Sequence, residues 1–399
     1  MSVRLSGTVR RAAADGGAPA VVRLARESRG PIVEPGPEPG SHDVTFVYVD
    51  RRRDAGRVGL FCPAIPGSFV ALEAVADGVL AATFTLPEAT RVKYHFSPHL
   101  PDDLDAEALA ALSRSPTARR MDTLNPHYDR VDIRGLRLRM VESLLTLPGA
   151  VSGPPATAAP HVPAGTTTPF AVHSAALGRR KEGFVYRPAG CPADARRYPL
   201  VLLLQGNDEW REAAFLDNLV AEGRVRPFVA VLFTEHSLTA RLWDNTCGAA
   251  YTRFVRDELL PVLAAEHSVS TVDVTVAGYS AGAVAAATLC LDEPRRFPRL
   301  ATVSGALYLT PGTRLGRDPG SERLLERYRH ATAVPRHAYL SAGRYEDLWR
   351  ADVYTYTESL AGILGRHGAR VRFDAGPTGH DTVSARGYLA EALAFLLGG

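Results

Sequence analysis

Residues 274–283 read VTVAGYSAGA, and the fold is decided here. The opening VTVA is small, apolar and partly β-branched, which suits a buried strand. Gly278-Tyr279-Ser280-Ala281-Gly282 follows in the pattern G-x-S-x-G, and the Ala-rich run through residue 290 predicts a helix. A strand turning sharply into a helix constrains the central serine and lifts its Oγ above the sheet. The flanking glycines let neighbouring backbone pass closely. The helix start brings its dipole and the Ala281 amide near a developing oxyanion. An ordinary tight turn is the bland alternative; the strand before and the helix after favour a nucleophile.

Working outward, strand-like apolar runs at 184–187, 200–204, 228–233, 301–303, 337–342 and 371–375 alternate with helical periodicity at 211–222, 251–265, 323–329, 357–366 and 386–397. This alternation predicts a mostly parallel sheet covered on both faces. The stretch 147–169, LPGAVSGPPATAAPHVPAGTTTP, has few large apolar residues and is expected to be an unpacked linker. Before it, short β-branched and aromatic segments at 44–49, 58–61, 79–84 and 92–96 predict a small all-β, immunoglobulin-like sandwich. The expected plan is a sandwich over 1–146 with a poorly structured start at 1–40, the linker 147–169, and an α/β catalytic domain over 170–399.

Composition narrows the function. Of 399 residues, 46% are hydrophobic and 22% charged, which describes a soluble globular protein. The charge of +3, from 46 basic and 43 acidic residues, is too even for nucleic-acid binding as the main task. The four cysteines form no CxxC pair, so neither a zinc site nor a disulfide framework is expected. The start lacks an apolar signal core, and no apolar run is long enough to span a membrane. A cytoplasmic protein with no metal, no cofactor and no membrane partner is the expectation.

A serine nucleophile needs a base. Residues 376–381, GPTGHD, lie between the last strand and the last helix, and they place His380 on a loop at the carboxyl end of that strand. Among twelve histidines it is preferred for that position and for the chain order serine, acid, histidine. The acid belongs on 343–347, GRYED, with Glu346 first and Asp347 as substitute; a Ser–His dyad without a firm acid stays open. Asp374 and Asp381 are weaker because they flank the histidine itself. The oxyanion hole should join the Ala281 amide to a donor from Gly206 or Asn207, in the loop after strand 200–204. Arg241 could hold an anionic ring substituent through its planar guanidinium, and Trp210, Trp243 and Tyr279 offer an aromatic wall. Surface capping for the arginine and core packing for the aromatics are the structural alternatives.

Several short elements together resemble the enterochelin (enterobactin) esterase family. They are Tyr94-His95-Phe96, Asp122-Thr-Leu-Asn125-Pro126, Val185-Tyr186-Arg187-Pro188, Gln205-Gly206 with Trp210, Asp257-Glu-Leu-Leu-Pro261, Gly343-Arg344-Tyr345-Glu346 and Gly379-His380-Asp381. The resemblance covers about residues 40–399 and implies an esterase-D-like α/β-hydrolase domain behind an amino-terminal β-sandwich. It also implies ester hydrolysis on a catecholate siderophore trilactone, with any iron arriving on the substrate. Departures fall at Gln205, at Arg241-Leu-Trp243-Asp-Asn245, at Ala283 and at Ser304-Gly-Ala-Leu-Tyr308. The chemistry therefore looks retained while the substrate is open. An acyltransferase or macrocyclising enzyme of secondary metabolism would use the same acyl-enzyme; an inactive ligand-binding protein is the non-enzymatic alternative.

Overall fold

Residues 43–47 of the sandwich are buried without interruption, although period-two alternation should leave one face of a strand open. The computed structural model supplies the reason. It describes residues 4–398 except 102, 106–107, 110, 113–114, 116, 134–137, 193–197, 205–212, 235–241, 243, 247, 268, 312, 314–319 and 349–350. The chain divides into two compact units: Met1–Val131 with Arg139–Ala150 and Gly376–Asp381, and Asp132–Leu138 with Val151–Ala375 and Thr382–Gly399.

In the first unit, β1 (Ile32–Pro35), β2 (Ser41–Val49), β5 (Glu73–Ala76) and β6 (Val79–Pro87) form a four-stranded sheet in the order β1-β2-β6-β5. A five-stranded sheet, β4-β3-β7-β9-β8, combines β3 (Gly59–Phe61), β4 (Phe69–Ala71), β7 (Arg91–Ser97), β8 (Tyr128–Ile133) and β9 (Leu138–Thr146). Aromatic rings join the sheets: Phe46 meets Tyr94 edge-on at 4.9 Å between centroids, and Tyr48 meets Phe96 at 5.3 Å. The opposite face of β2 is covered by α1 (Gly7–Glu27), which packs Val9, Val21 and Ala25 against Val47, Val79 and Ala81. Each buried valine contributes at most about 1.5–3 kcal/mol.

Helix α1 corrects the expectation of a poorly structured start. Ser6 caps it, its Oγ accepting from the Val9 amide at 3.2 Å. A kink at Gly17 (φ 59°) accommodates Pro19 within the helix. Further on, the Asp122–Pro126 element is consumed locally. Tyr94 Oη donates to Asp122 at 2.7 Å, and Asn125 Nδ2 donates to Tyr94 Oη and to the Leu144 carbonyl, both at 3.0 Å. The Asp122 and Asn125 side chains also accept the Leu124 and His127 amides, so this turn is held by its own polar groups.

The second unit is built on an eight-stranded sheet in the order β10-β11-β13-β12-β14-β15-β16-β19. Its strands are β10 (Thr166–Ser174), β11 (Arg179–Arg187), β12 (Leu200–Leu204), β13 (Val229–Thr234), β14 (Thr275–Tyr279), β15 (Arg299–Val303), β16 (His337–Gly343) and β19 (Arg370–Gly376). β17 (Asp347–Leu348) and β18 (Ala351–Asp352) form a separate short hairpin. Strands β13, β12, β14, β15 and β16 run parallel, while β10 and β11 are antiparallel additions.

Both faces are covered, as a parallel sheet requires. On β12, Leu200, Leu202 and Leu204 face one core, whereas Val201 and Leu203 face the other. The first core includes α5 (Gly282–Asp292), α6 (Arg323–Arg329) and α7 (Val353–Arg366); the second includes α2 (Ala213–Ala221) and α8 (Thr382–Leu397). Between α3 (Ala249–Arg253) and α4 (Leu260–Glu266) the expected single helix widens into a π turn over Phe254–Leu259. Pro261 accounts for the position: it has no N–H, and its ring would press on the Asp257 carbonyl in a tight α turn.

The stretch expected to be an unpacked linker is docked instead. Val151 and Ala156 pack against the core that contains Ala385 and Tyr388. Asn218 Nδ2 donates to the Pro155 and Thr157 carbonyls at 2.8 and 3.0 Å, and Asp217 accepts the Gly165 amide at 2.9 Å. Strand β10 begins at Thr166, inside the expected linker. Buried side chains of α2 thus satisfy backbone that has little apolar surface of its own. Cys62, Cys191 and Cys290 are buried free thiols, with burial pushing Cys62 up to about 12; Cys247 lies outside the described residues. No helix among the described residues is long and apolar enough to cross a membrane.

Candidate active site

The bend after β14 exists because Gly278 has no side chain. A Cβ there would lie 2.3 Å from the Gly282 carbonyl oxygen, so only glycine lets the helix start cross the strand end. Ser280 then takes a left-handed backbone, φ 56°. Such a conformation costs a serine about 1–3 kcal/mol and persists only where its surroundings impose it. Here three backbone bonds do so: Ser280 N–H donates to Val303 O (3.0 Å), and Ser280 O accepts from Ala283 (3.2 Å) and Ala306 (3.0 Å). Ala281 caps α5, and no described residue accepts its amide hydrogen. That N–H stands at the positive end of the helix dipole.

A second left-handed serine sits on the next strand. Ser304, φ 48°, follows β15 and donates its amide to Ser341 O on β16 at 2.8 Å. Its Oγ donates to Glu346 Oε1 at 2.7 Å, and the Gly343 amide donates to the same oxygen at 2.6 Å. Glu346 is 2% exposed. Two donors on one oxygen hold the buried carboxylate in a fixed orientation and compensate part of its lost hydration. Ser280 and Glu346 are thereby joined through the Val303–Ser304 peptide and lie at the carboxyl ends of β14 and β16.

The other carboxylates are engaged or undescribed. Asp374 accepts from Tyr339 Oη at 2.7 Å and from Arg372 Nε at 3.0 Å. The side chain of Asp347 lies outside the described residues. Asp381, 1% exposed, belongs to the first unit. So does His380, which is half-buried in the segment between β19 and α8. Arg91 N–H donates to Pro377 O at 3.0 Å, and Gly379 N–H donates to Arg91 O at 2.8 Å.

Gly206, Asn207, Trp210, Arg241 and Trp243 lie outside the described residues. The segment adjoining the last two is anchored at Asp244, which is 1% exposed and accepts from the buried Lys181 ammonium at 2.8 Å while pairing with Arg179. Tyr279, expected on the substrate side, is 3% exposed and packs in the core with Ala385, Tyr388 and Leu389. Its position could have been read from the strand, because Tyr279 shares the parity of Ala277, which faces the same core. Ser304 was noted only as a departure from the family pattern, and its bond to Glu346 was not anticipated. Nothing in its residue type distinguishes it; the signal was its place one residue beyond the strand beside the nucleophile strand.

A sheet of this order, covered on both faces and bent into a left-handed serine after its fifth strand, is that of the α/β-hydrolases, here with an antiparallel sandwich in front. A family model described as putative esterase matches residues 174–363. The chain resembles the enterobactin esterases. The iron(III) enterobactin esterase of Dickeya dadantii is 30% identical over 224 residues, covering 53% of this chain and 50% of that protein. The match therefore spans about half the length of that relative. An enterobactin esterase of Shigella flexneri, crystallised in the presence of enterobactin, superposes with a TM-score of 0.74 at 23% identity over 96% of this chain and 98% of that one. The ferric enterobactin esterase of Salmonella typhimurium gives a TM-score of 0.74 at 23% identity, over 92% and 96%. The two crystal structures share this fold over both domains.

Proposed function

We propose that this chain is a serine esterase that cleaves ester bonds of a catecholate siderophore trilactone or a related secondary metabolite. One observation carries the reading: a left-handed Ser280, clamped to β15, is linked through Ser304 to a buried, oriented Glu346. In the proposed mechanism Ser280 Oγ attacks the ester carbonyl while His380 takes its proton. The oxyanion meets the Ala281 amide, with a second donor from Gly206 or Asn207. Glu346 holds the imidazole tautomer and offsets the imidazolium charge. His380 returns the proton to the leaving alcohol and then activates water, which releases the acid and restores the serine. The names of the relatives support the substrate class, and the planar guanidinium of Arg241 suits an anionic catecholate.

The test is turnover of a tricatecholate trilactone, a linear catecholate ester and a simple aryl ester, with products identified by mass spectrometry. Water-adduct products from the trilactone are expected, and Ser280→Ala should lower kcat by about 10⁴-fold or more. Undiminished hydrolysis by folded Ser280→Ala would sink the assignment. A transferred or cyclised product would replace hydrolysis by acyl transfer.

A further inference from the structure

We propose that the sandwich positions the general base, with strand β7 holding the His380 loop in register through Arg91. This rests on the reading of His380 as the base. In the β7–β9 ladder Arg91 stands opposite Thr146. Its amide and carbonyl are not spent on that ladder but grip the loop, donating to Pro377 O at 3.0 Å and accepting from Gly379 N–H at 2.8 Å. Together they form a parallel bridge centred on Thr378, which is 1% exposed. His380 is the residue immediately beyond this clamp. Arg91 is itself fixed, because it is 5% exposed and its Nε donates to Thr146 Oγ1 at 3.2 Å.

The residue on the other side of the base lies in the field of a lysine on the same strand. Asp381 is buried, and Lys93 lies two residues along β7, on the same face as Arg91. Burial opposes the Lys93 charge, but Glu142, Asp129 and Asp381 outweigh it and keep the ammonium above the ordinary lysine range. Lys93 Nζ lies 3.6 Å from both Glu142 and Asp129. Within the loop Asp381 N–H donates to Gly379 O at 3.1 Å. A base displaced by about 1 Å loses on the order of 10²-fold in rate, so β7 acts as a positioning element.

The test compares Arg91→Pro with Arg91→Ala in the full chain. Both remove the side chain, but only proline removes the amide that donates to Pro377. Proline is tolerated at the first residue of a strand when its N–H is not part of the ladder. Arg91→Pro is expected to fall about 10- to 100-fold below Arg91→Ala in kcat, with KM within about twofold, and to label more slowly at Ser280 with a fluorophosphonate. Equal kcat for folded Arg91→Pro and Arg91→Ala overturns the proposal. If Arg91→Pro does not fold, an amide-to-ester replacement of the Arg91 backbone N–H in the full chain decides, and a kcat equal to wild type overturns it. His380→Ala separates the two readings: full activity there removes the base assignment itself. A dead His380→Ala beside an undisturbed Arg91→Pro removes only the positioning role.

Discussion

Glu142 in the sandwich is a half-buried carboxylate and Glu346 in the hydrolase unit a buried one, and the donors that meet them differ. Glu142 meets Arg119 at 3.0 Å, His95 Nδ1 at 3.2 Å and Lys93 at 3.6 Å. Burial alone would raise its carboxyl, but the His95 hydrogen bond and the Lys93 and Arg119 charges prevail and hold it at about 2. Glu346 is oriented by a hydroxyl and an amide, both neutral. A carboxylate ringed by cations has its field cancelled where it stands and serves its own domain. One oriented by neutral donors keeps a negative field that a third group, here the proposed imidazolium, can use.

The largest expected effect falls on the neutral-donor side. Glu346→Gln should lower kcat by about 10³- to 10⁴-fold, as loss of a triad acid does elsewhere. A folded variant within tenfold of wild type would erase the distinction between the two carboxylates and favour a Ser–His dyad. Next comes Glu142. Its folded value lies below its usual 4.5, so its contribution is complete above about pH 4.5 and disappears as pH falls toward 2. The contribution is on the order of 3 kcal/mol. Glu142→Gln should therefore unfold at lower denaturant at pH 7 and show a flatter acid limb, measured by urea titrations at pH 7 and pH 3. An acid limb as steep as wild type would contradict the cation-ring account.

Ser304→Ala removes one of the two donors on Glu346 Oε1 and should lower kcat by about tenfold, with a smaller change in KM. The smallest effect is one of strain. Ser280→Gly should abolish turnover while raising stability by about 1 kcal/mol, because glycine adopts the left-handed backbone freely. A lower melting temperature in that variant would mean that the turn stores no strain.

Much of this fold was legible because buried strands and amphipathic helices write their periods into the chain. The runs at 200–204 and 337–342 and the Ala-rich helix after Ser280 were found where apolar pattern alone places them. Helix α1 was missed for a physical reason. Gly16, Gly17 and Pro19 disfavour a regular helix, and burial of Val9 and Val21 against the outer face of β2 offsets that cost. In the proposed site, the left-handed turn at Ser280 was legible in the glycine spacing, and the strand end that carries Glu346 in the apolar run before it. Ser304 and the grip of Arg91 on the His380 loop were not, because both act through backbone and hydroxyl groups that any sequence offers.

The docked stretch after Ala150 decides where this chain can be cut. A fragment begun at residue 170 would strip Asn218 of both acceptors, remove the partner of Asp217 at Gly165 and bare the surface that Val151 and Ala156 cover. Any chimera that exchanges the hydrolase body between relatives should therefore place its crossover at about residue 150, so that the proline-rich strap travels with the helices it ties down.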